Sequence, residues 1–280
     1  MRTRNQDDCG GQLPGNPEMP MAKPRTFTFL GTGTSVGVPM IGCDCDTCRS
    51  TNPRNQRYRC AVLVATPEGN ILVDTPPELR LQLLRERVGI IHALLYTHYH
   101  ADHLFGFDDV RPMQKYLGGP LPIYCTEEVE DKIREVFSYA FTPGAESPSV
   151  GYVPKVAFRR IGMDPFTVLG QTVVPIPLRH AWFDVLGFRF GDVAYCTDVN
   201  LIPEPSWTLL EGLRVLVLDA LRHKPHAAHF GLNEALDVIE RLKPERAYLT
   251  HVSHELEHEA TNARLPPGVE LAYDGLRFEF

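Results

Sequence analysis

One stretch, Leu94-Leu95-Tyr96-Thr97-His98-Tyr99-His100-Ala101-Asp102-His103-Leu104, constrains this chain more than any other. The apolar run from Ile90 to Tyr96 predicts a buried strand. It ends in three histidines and a carboxylate within six residues, in a chain with eleven histidines altogether. Imidazole and carboxylate are ligands of borderline divalent metals, and histidines at i and i+2 just past a strand converge on one point. His98 and His100 are therefore expected to hold one ion. Asp102 and His103 fall where a helix would start, on the other side of that turn, and offer ligands to a second. A lone histidine would more often be a solvated loop residue, but three beside an acid are not. Two neighbouring ions are common equipment for hydrolysing phosphate esters and acyl bonds.

A chain of 280 residues, 43% of them hydrophobic, has ample core for one large domain or two small ones. The net charge of −7 argues against stable nucleic-acid binding, which an excess of Lys and Arg would serve. No apolar run approaches the roughly 18 to 20 residues that cross a bilayer, and the start lacks the apolar core of a signal peptide. The expected location is cytoplasmic, away from membranes. Seven cysteines are an odd number, and Cys43, Cys45 and Cys48 crowd into six residues. That spacing is poor for disulfides and suits a closed tetrahedral zinc site lacking its fourth ligand.

Along the chain, residues 1–22 are rich in Gly, Pro, Asn and Gln without periodicity, and read as a disordered extension in which Met19 and Met21 are alternative starts. Residues 23–280 form the folded domain. Thr26–Leu30 alternates like a strand and runs into Gly31-Thr32-Gly33-Thr34-Ser35-Val36-Gly37-Val38-Pro39, which lacks a P-loop lysine and reads as a scaffold turn beside the site. A hairpin is expected over 60–73 and a helix over 78–87, with Asp74 either a turn former or a residue behind the site. Thr126 should cap a helix over 127–139, and residues 143–148 should be a mobile loop. The second half reads as strands over 156–161, 166–169, 172–178, 185–190, 193–196 and 213–218, with His180 and Asp198 as potential ligands at strand ends. A helix over 232–242, a strand over 246–250 delivering His251, a helix over 255–263 and a closing hairpin around Asp274-Gly275 complete it.

The motif His98-x-His100-x-Asp102-His103 resembles the signature of the metallo-β-lactamase superfamily. The resemblance implies an α/β (α+β) fold, a four-layer αββα sandwich in a single domain with the metal site at one edge of the paired sheets. It also implies that one ion takes His98, His100 and His180, the other takes Asp102, His103 and His251, and Asp198 bridges them. Two dications beside one carboxylate would bring a shared water to a pKa near about 7. The superfamily motif is nearly silent about substrate.

A finer resemblance covers residues 25–280. The Gly31–Pro39 loop, the cysteine trio and Thr250-His251-Val252-Ser253-His254 are similar to the phosphoribosyl 1,2-cyclic phosphate phosphodiesterase family of bacterial phosphonate breakdown. The resemblance implies a structural zinc on Cys43, Cys45, Cys48 and His254. It makes His229 the general acid and a substrate contact; His226 and His223 nearby are second choices for that role, His226 as a further substrate contact and His223 more readily as a helix-capping or solvated residue. His229 and Asp102 are the expected catalytic residues. Two divalent ions, Zn or Mn, one structural Zn, a small cyclic or nucleotide-like phosphodiester substrate, attack by bridging hydroxide and a homodimer are the resulting expectations. Residues 222–229 are richer in histidine and basic residues than in that family, so the substrate need not be the same. The alternatives are a tRNA 3′-end endonuclease, whose basic arm is missing, a thioesterase or glyoxalase-type hydrolase, and a metal-stabilised binding protein without turnover.

Overall fold

Two seven-stranded sheets lie face to face. The computed structural model describes residues 24–142, 144 and 153–280. The expected N-terminal extension, with Cys9, and most of the loop at 143–148 lie outside the described residues. The strands are β1 (Thr26–Gly31), β2 (Ala61–Thr66), β3 (Gly69–Val73), β4 (Ala93–Leu95), β5 (Leu121–Cys125), β6 (Val156–Arg160), β7 (Phe166–Val168), β8 (Gln171–His180), β9 (Phe183–Phe190), β10 (Val193–Cys196), β11 (Val215–Asp219), β12 (Arg246–Thr250), β13 (Val269–Leu271) and β14 (Arg277–Glu279). The first sheet runs β14-β1-β2-β3-β4-β5-β6 and the second β13-β12-β11-β10-β9-β8-β7. In each sheet one half is antiparallel and the other parallel: β3 to β6 in the first, β10 to β13 in the second.

Period-two alternation explains the four layers. Phe27, Phe29, Val62, Val64, Ile71 and Val73 point between the sheets onto Phe188, Phe190, Tyr195, Val217 and Tyr248. Their neighbours Leu30, Leu63, Leu72 and Leu94 point outward and are covered by Leu79 and Leu83 of the helix Leu79–Arg85 and by Val129 and Ile133 of the helix Glu127–Val136. On the far side Leu216, Leu218 and Leu249 meet Ala235, Val238 and Ile239 of the helix Leu232–Leu242. Strands covered on both faces read as unbroken apolar runs, as Val215-Leu216-Val217-Leu218 does. The αββα sandwich of a single domain is thus the observed architecture. Among the described residues no helix is long and apolar enough to cross a membrane.

Two expectations change. Residues 269–280 do not form a hairpin: β13 pairs parallel with β12 in one sheet, and β14 pairs with β1 in the other. The turn between them is tied down from outside, because Asp274 accepts hydrogen bonds from Tyr58 N and Thr32 Oγ1, each 2.8 Å long, and Gly275 N donates to Phe29 O. Strands β8 and β9 are longer than expected and close on the two-residue turn Ala181-Trp182, with His180 opposite Phe183. Pro175 and Pro177 are tolerated because β7 pairs only with Gln171–Val173 and the next bridge on that side is Arg179 to Leu201, which leaves the two prolines between them without a strand partner there.

Parallel register sets the site. It aligns the C-terminal ends of β10, β11 and β12, so Asp198, Asp219 and His251 emerge at one edge. Across from them, β3 and β4 deliver Asp74 and the His98–His103 turn. Leu186 N donates to Thr97 O across 3.1 Å, joining the sheets at that edge.

Candidate metal centre

Seven side chains from both sheets converge at this edge. The ligating atoms of His98, His100 and His180 lie within 4.8 Å of one another, as do those of Asp102, His103, Asp198 and His251. Asp198 reaches both groups: its Oδ2 is 3.0 Å from His103 Nε2, and its Oδ1 is 3.3 Å from His251 Nε2 and 4.0 Å from His180 Nε2. All seven except His100 are buried. Asp102 and His103 stand on the short helix Ala101–Leu104, as the turn after the first two histidines required.

The histidine tautomers follow from their outer partners. Thr97 Oγ1 donates to Asp74 Oδ2 at 2.8 Å, so it is free to accept from His98 Nδ1 at 2.9 Å. His103 Nδ1 donates to Asp74 Oδ2 at 2.8 Å, and His180 Nδ1 donates to Ala228 O at 2.7 Å. In each ring the Nε2 lone pair is left for the centre. Asp74, which the sequence allowed as a mere turn former, is fully buried and also accepts from Thr97 N at 2.9 Å. It is the post on which two ligand histidines are set.

Buried nitrogens without partners test whether ions fit. His98 Nε2, His103 Nε2 and both nitrogens of His251 make no hydrogen bond. His103 Nε2 is close to Asp102 and Asp198, but neither contact has hydrogen-bond alignment. Such orphans are rare and costly in folded proteins, and here they point at one another and at carboxylates. This donor set suits divalent cations.

Electrostatics agree. Burial alone would lower the His103 imidazole, but Asp198, Asp102 and Asp74 outweigh it and raise the group well above its usual value, so the carboxylates call for positive charge at Nε2, which a bound cation would supply in place of the proton. Burial would raise the Asp198 carboxyl, yet the imidazoles of His251 and His103 hold it well below the carboxylate range. Burial pushes His98 down, and the neighbouring His103 adds to that, so His98 stays neutral as a ligand must. Asp74, Asp198 and His251 have φ of 65°, 54° and 57°, a left-handed conformation uncommon for non-glycine residues.

His229 lies beside the groups. Its Nδ1 donates to Asp219 Oδ2 at 2.7 Å, and its ring stacks on that of His251 at 4.5 Å and meets that of His180 edge-on at 4.5 Å. Asp219 follows directly on the strand expected over 213–218, and no role was expected of it. Its position, one strand over from Asp198 at the same edge, was the available signal. His226 is half-buried at the rim, its ring 5.3 Å from His229. His223 is exposed, as expected.

A separate cluster joins the loop after β1 to the segment after β12. Cys43, Cys45, Cys48 and His254 bring their ligating atoms within 4.8 Å of one another. Cys43 Sγ and Cys45 Sγ lie 3.4 and 3.2 Å from His254 Nδ1. Backbone N–H groups of Met40 and Cys48 point at Cys48 Sγ and Cys45 Sγ, both at 3.4 Å. The His254 contact, then the Cys48 N–H, bring the Cys45 thiol down to about 6. Between the two centres Gly33 bridges both Arg59 and Val252. A side chain there would press on Arg57, which is why the segment carries glycine.

The sequence matches the family model of the Beta-lactamase superfamily domain over residues 69–252. The chain belongs to the β-lactamase superfamily. That span holds Asp74, all seven converging residues, Asp219 and His229, while the cysteine trio and His254 lie outside it. Among solved structures of the superfamily fold, one titled a new diphosphatase from the PhnP family is 42% identical, with a TM-score of 0.86, covering 93% of this chain and 98% of that one. Zn(2+)-bound PqqB from Methylobacterium extorquens, at 18% identity, a TM-score of 0.70 and cover of 91% and 100%, shares the fold. So does the short form of human tRNase Z, at 19% identity, a TM-score of 0.67 and cover of 90% and 98%. The Octanoyltransferase of Porphyromonas gingivalis is 34% identical over 252 residues, 89% of this chain. The chain spans 50% of that relative's length. Superfamily membership implies divalent metal ions, and the donor set here fits them.

Proposed function

We propose that the protein is a metal-dependent phosphohydrolase that cleaves a small diesterified phosphate, cyclic or nucleotide-like. His98, His100 and His180 would hold one divalent ion, Asp102, His103 and His251 a second, with Asp198 shared. Such ions, when bound, supply Lewis acidity toward phosphoryl oxygens and a water nucleophile near neutral pH. Cys43, Cys45, Cys48 and His254 would hold a structural zinc that braces the His251 segment.

One observation carries the reading: the Asp219–His229 pair, linked at 2.7 Å, stands against the ligand set. Its ligating atoms lie within 4.8 Å of that of His251, and the His229 atom is also within 4.8 Å of those of His180 and Asp198, so that His229 can reach a group held there. Asp219 fixes the proton on Nδ1, so the other nitrogen of His229 is the one that serves the reacting atoms. Water adds to phosphorus and gives up a proton to solvent, the bond to the leaving oxygen breaks, and that oxygen takes its proton from His229, which regains one from solvent. Asp74 and Thr97 keep the ligand imidazoles oriented throughout.

The 42% identical structure, described as a diphosphatase, favours a second form of the same chemistry. A doubly substituted diphosphate presents a diesterified phosphorus whose leaving group is a phosphate. The test is turnover of bis(p-nitrophenyl) phosphate, a ribose cyclic phosphate and a dinucleoside diphosphate with Zn²⁺ or Mn²⁺, against a thioester and a lactam. Hydrolysis confined to the thioester or lactam would sink the phosphohydrolase reading.

A further inference from the structure

We propose that Trp182 is a stacking platform that makes the centre select diesters carrying a planar base or aryl group; this rests on the phosphohydrolase reading above. Trp182 is 80% exposed, unusual for the largest apolar side chain. It occupies the tip of the β8–β9 hairpin, two residues after His180. That tip is held firmly. Ala181 has a φ of 54°, and its N–H donates to Asn200 Oδ1 at 2.7 Å. The indole is therefore offered by a fixed backbone.

Rings connect it to the centre. Trp182 lies 5.3 Å from Phe183 between ring centroids, and Phe183 stands edge-on to His100 at 4.9 Å and to Tyr99 at 5.9 Å. A phosphorus seated among His98, His100 and His180 directs one substituent over this rim. The opposite rim is imidazole, with His226 and His229. A flat apolar substituent gains on the Phe183–Trp182 side what a sugar or alkyl group does not. Stacking is indifferent to which base is presented, so the selection is for planarity.

The test uses metal-loaded full-length protein. The chain has two tryptophans, and Trp207 is covered by the Arg241 guanidinium at 3.6 Å, so W207F leaves Trp182 as sole reporter. Titration with adenosine 5′-monophosphate is expected to quench it saturably, with about tenfold tighter binding than ribose 5-phosphate. Binding measured by calorimetry should lose that preference in Trp182→Ala and keep most of it in Trp182→Phe. Equal binding of the two probes, binding of neither, or a preference that survives Trp182→Ala overturns the proposal. So does fluorescence that varies with protein concentration and ignores both probes, which would mean that a second copy covers the indole. Wild-type turnover of a ribose cyclic phosphate, which has no ring to stack, reports on the phosphohydrolase reading separately. Turnover without base preference sinks the platform and leaves that reading, whereas no turnover of any phosphodiester sinks the reading itself.

Discussion

The Nδ1 of His229 donates to Asp219 Oδ2 at 2.7 Å while the same ring lies 4.5 Å from His251. A buried carboxylate behind the imidazole keeps one tautomer and holds the other ring nitrogen toward the reacting atoms. His229→Ala should therefore lower kcat by about 10²- to 10⁴-fold with metal content unchanged. Asp219→Asn, which frees the ring to turn, should lose part of that activity. Elemental analysis beside steady-state kinetics checks both. Loss of metal in His229→Ala would make His229 a ligand.

Asp74 touches neither group of ligating atoms as a donor, yet Thr97 and His103 depend on it. Asp74→Ala frees two ligand rings to rotate and leaves the Thr97 N–H buried without a partner. Metal affinity should drop about 10- to 100-fold, and stability by roughly 1–3 kcal/mol for the orphaned group. Competition with a chromogenic chelator and urea unfolding measure the two effects. Unchanged affinity would reduce Asp74 to a turn former.

The cysteine cluster predicts a stability effect separable from catalysis. His254→Ala should remove one zinc per chain, leave the ions of the histidine groups in place and cost about 3–5 kcal/mol, or roughly 10 °C for a chain of this size. Metal counting and thermal unfolding test it. A variant with full zinc and an unchanged melting temperature would mean that the cluster is only four neighbouring side chains.

The residues that could be read from the sequence are those whose chemistry is local. His98, His100, Asp102 and His103 sit within one turn, and the Cys43–Cys48 trio within another, so spacing alone exposes them. Strands β10 to β12 were legible because burial on both faces makes them continuously apolar. Asp219 was not, since a carboxylate at the end of such a run acquires its partner only when parallel pairing sets it beside the His229 loop. The closing segment misled for a like reason. Asp274-Gly275 has hairpin composition, but its partners Tyr58 and Thr32 are more than two hundred residues away in sequence, and they send the chain into the other sheet. The Ala181-Trp182 turn was missed because Arg179 and His180 read as the polar end of a strand over 172–178, whereas pairing with β9 carries β8 on to His180 and starts β9 at Phe183.

At Gly31 the backbones of β1 and its neighbour come too close for any side chain. An added Cβ would overlap the carbonyl oxygen of Arg59 and crowd Gln82 Nε2, which itself donates to that oxygen at 2.8 Å. Gly31→Ala should therefore destabilise by roughly 1–3 kcal/mol through overpacking. Urea unfolding decides the point. An unchanged midpoint would mean that β1 shifts freely at its bulge.

His258 gives the fold a defined response to acid. Arg57 Nη2 donates to Nδ1 across 3.1 Å, and the Asn262 amide lies 3.0 Å from Nε2. Burial, and then the charge of Arg57, bring the imidazole from its ordinary 6.5 down to about 4, against the weaker pull of Glu259 and Glu257. On acidification the unfolded chain therefore binds this proton before the folded one does. The contribution of neutral His258 is complete above about pH 6.5 and is lost as pH falls toward 4, on the order of 3 kcal/mol over the window. His258→Gln cannot take up the proton. The stability of wild type relative to that variant, from urea unfolding at pH 7, 6, 5 and 4.5, should fall steadily with pH. The metal-site histidines titrate in both proteins and cancel in the difference. A difference independent of pH would mean that His258 is protonated in the fold or is not enclosed by Arg57 and Asn262.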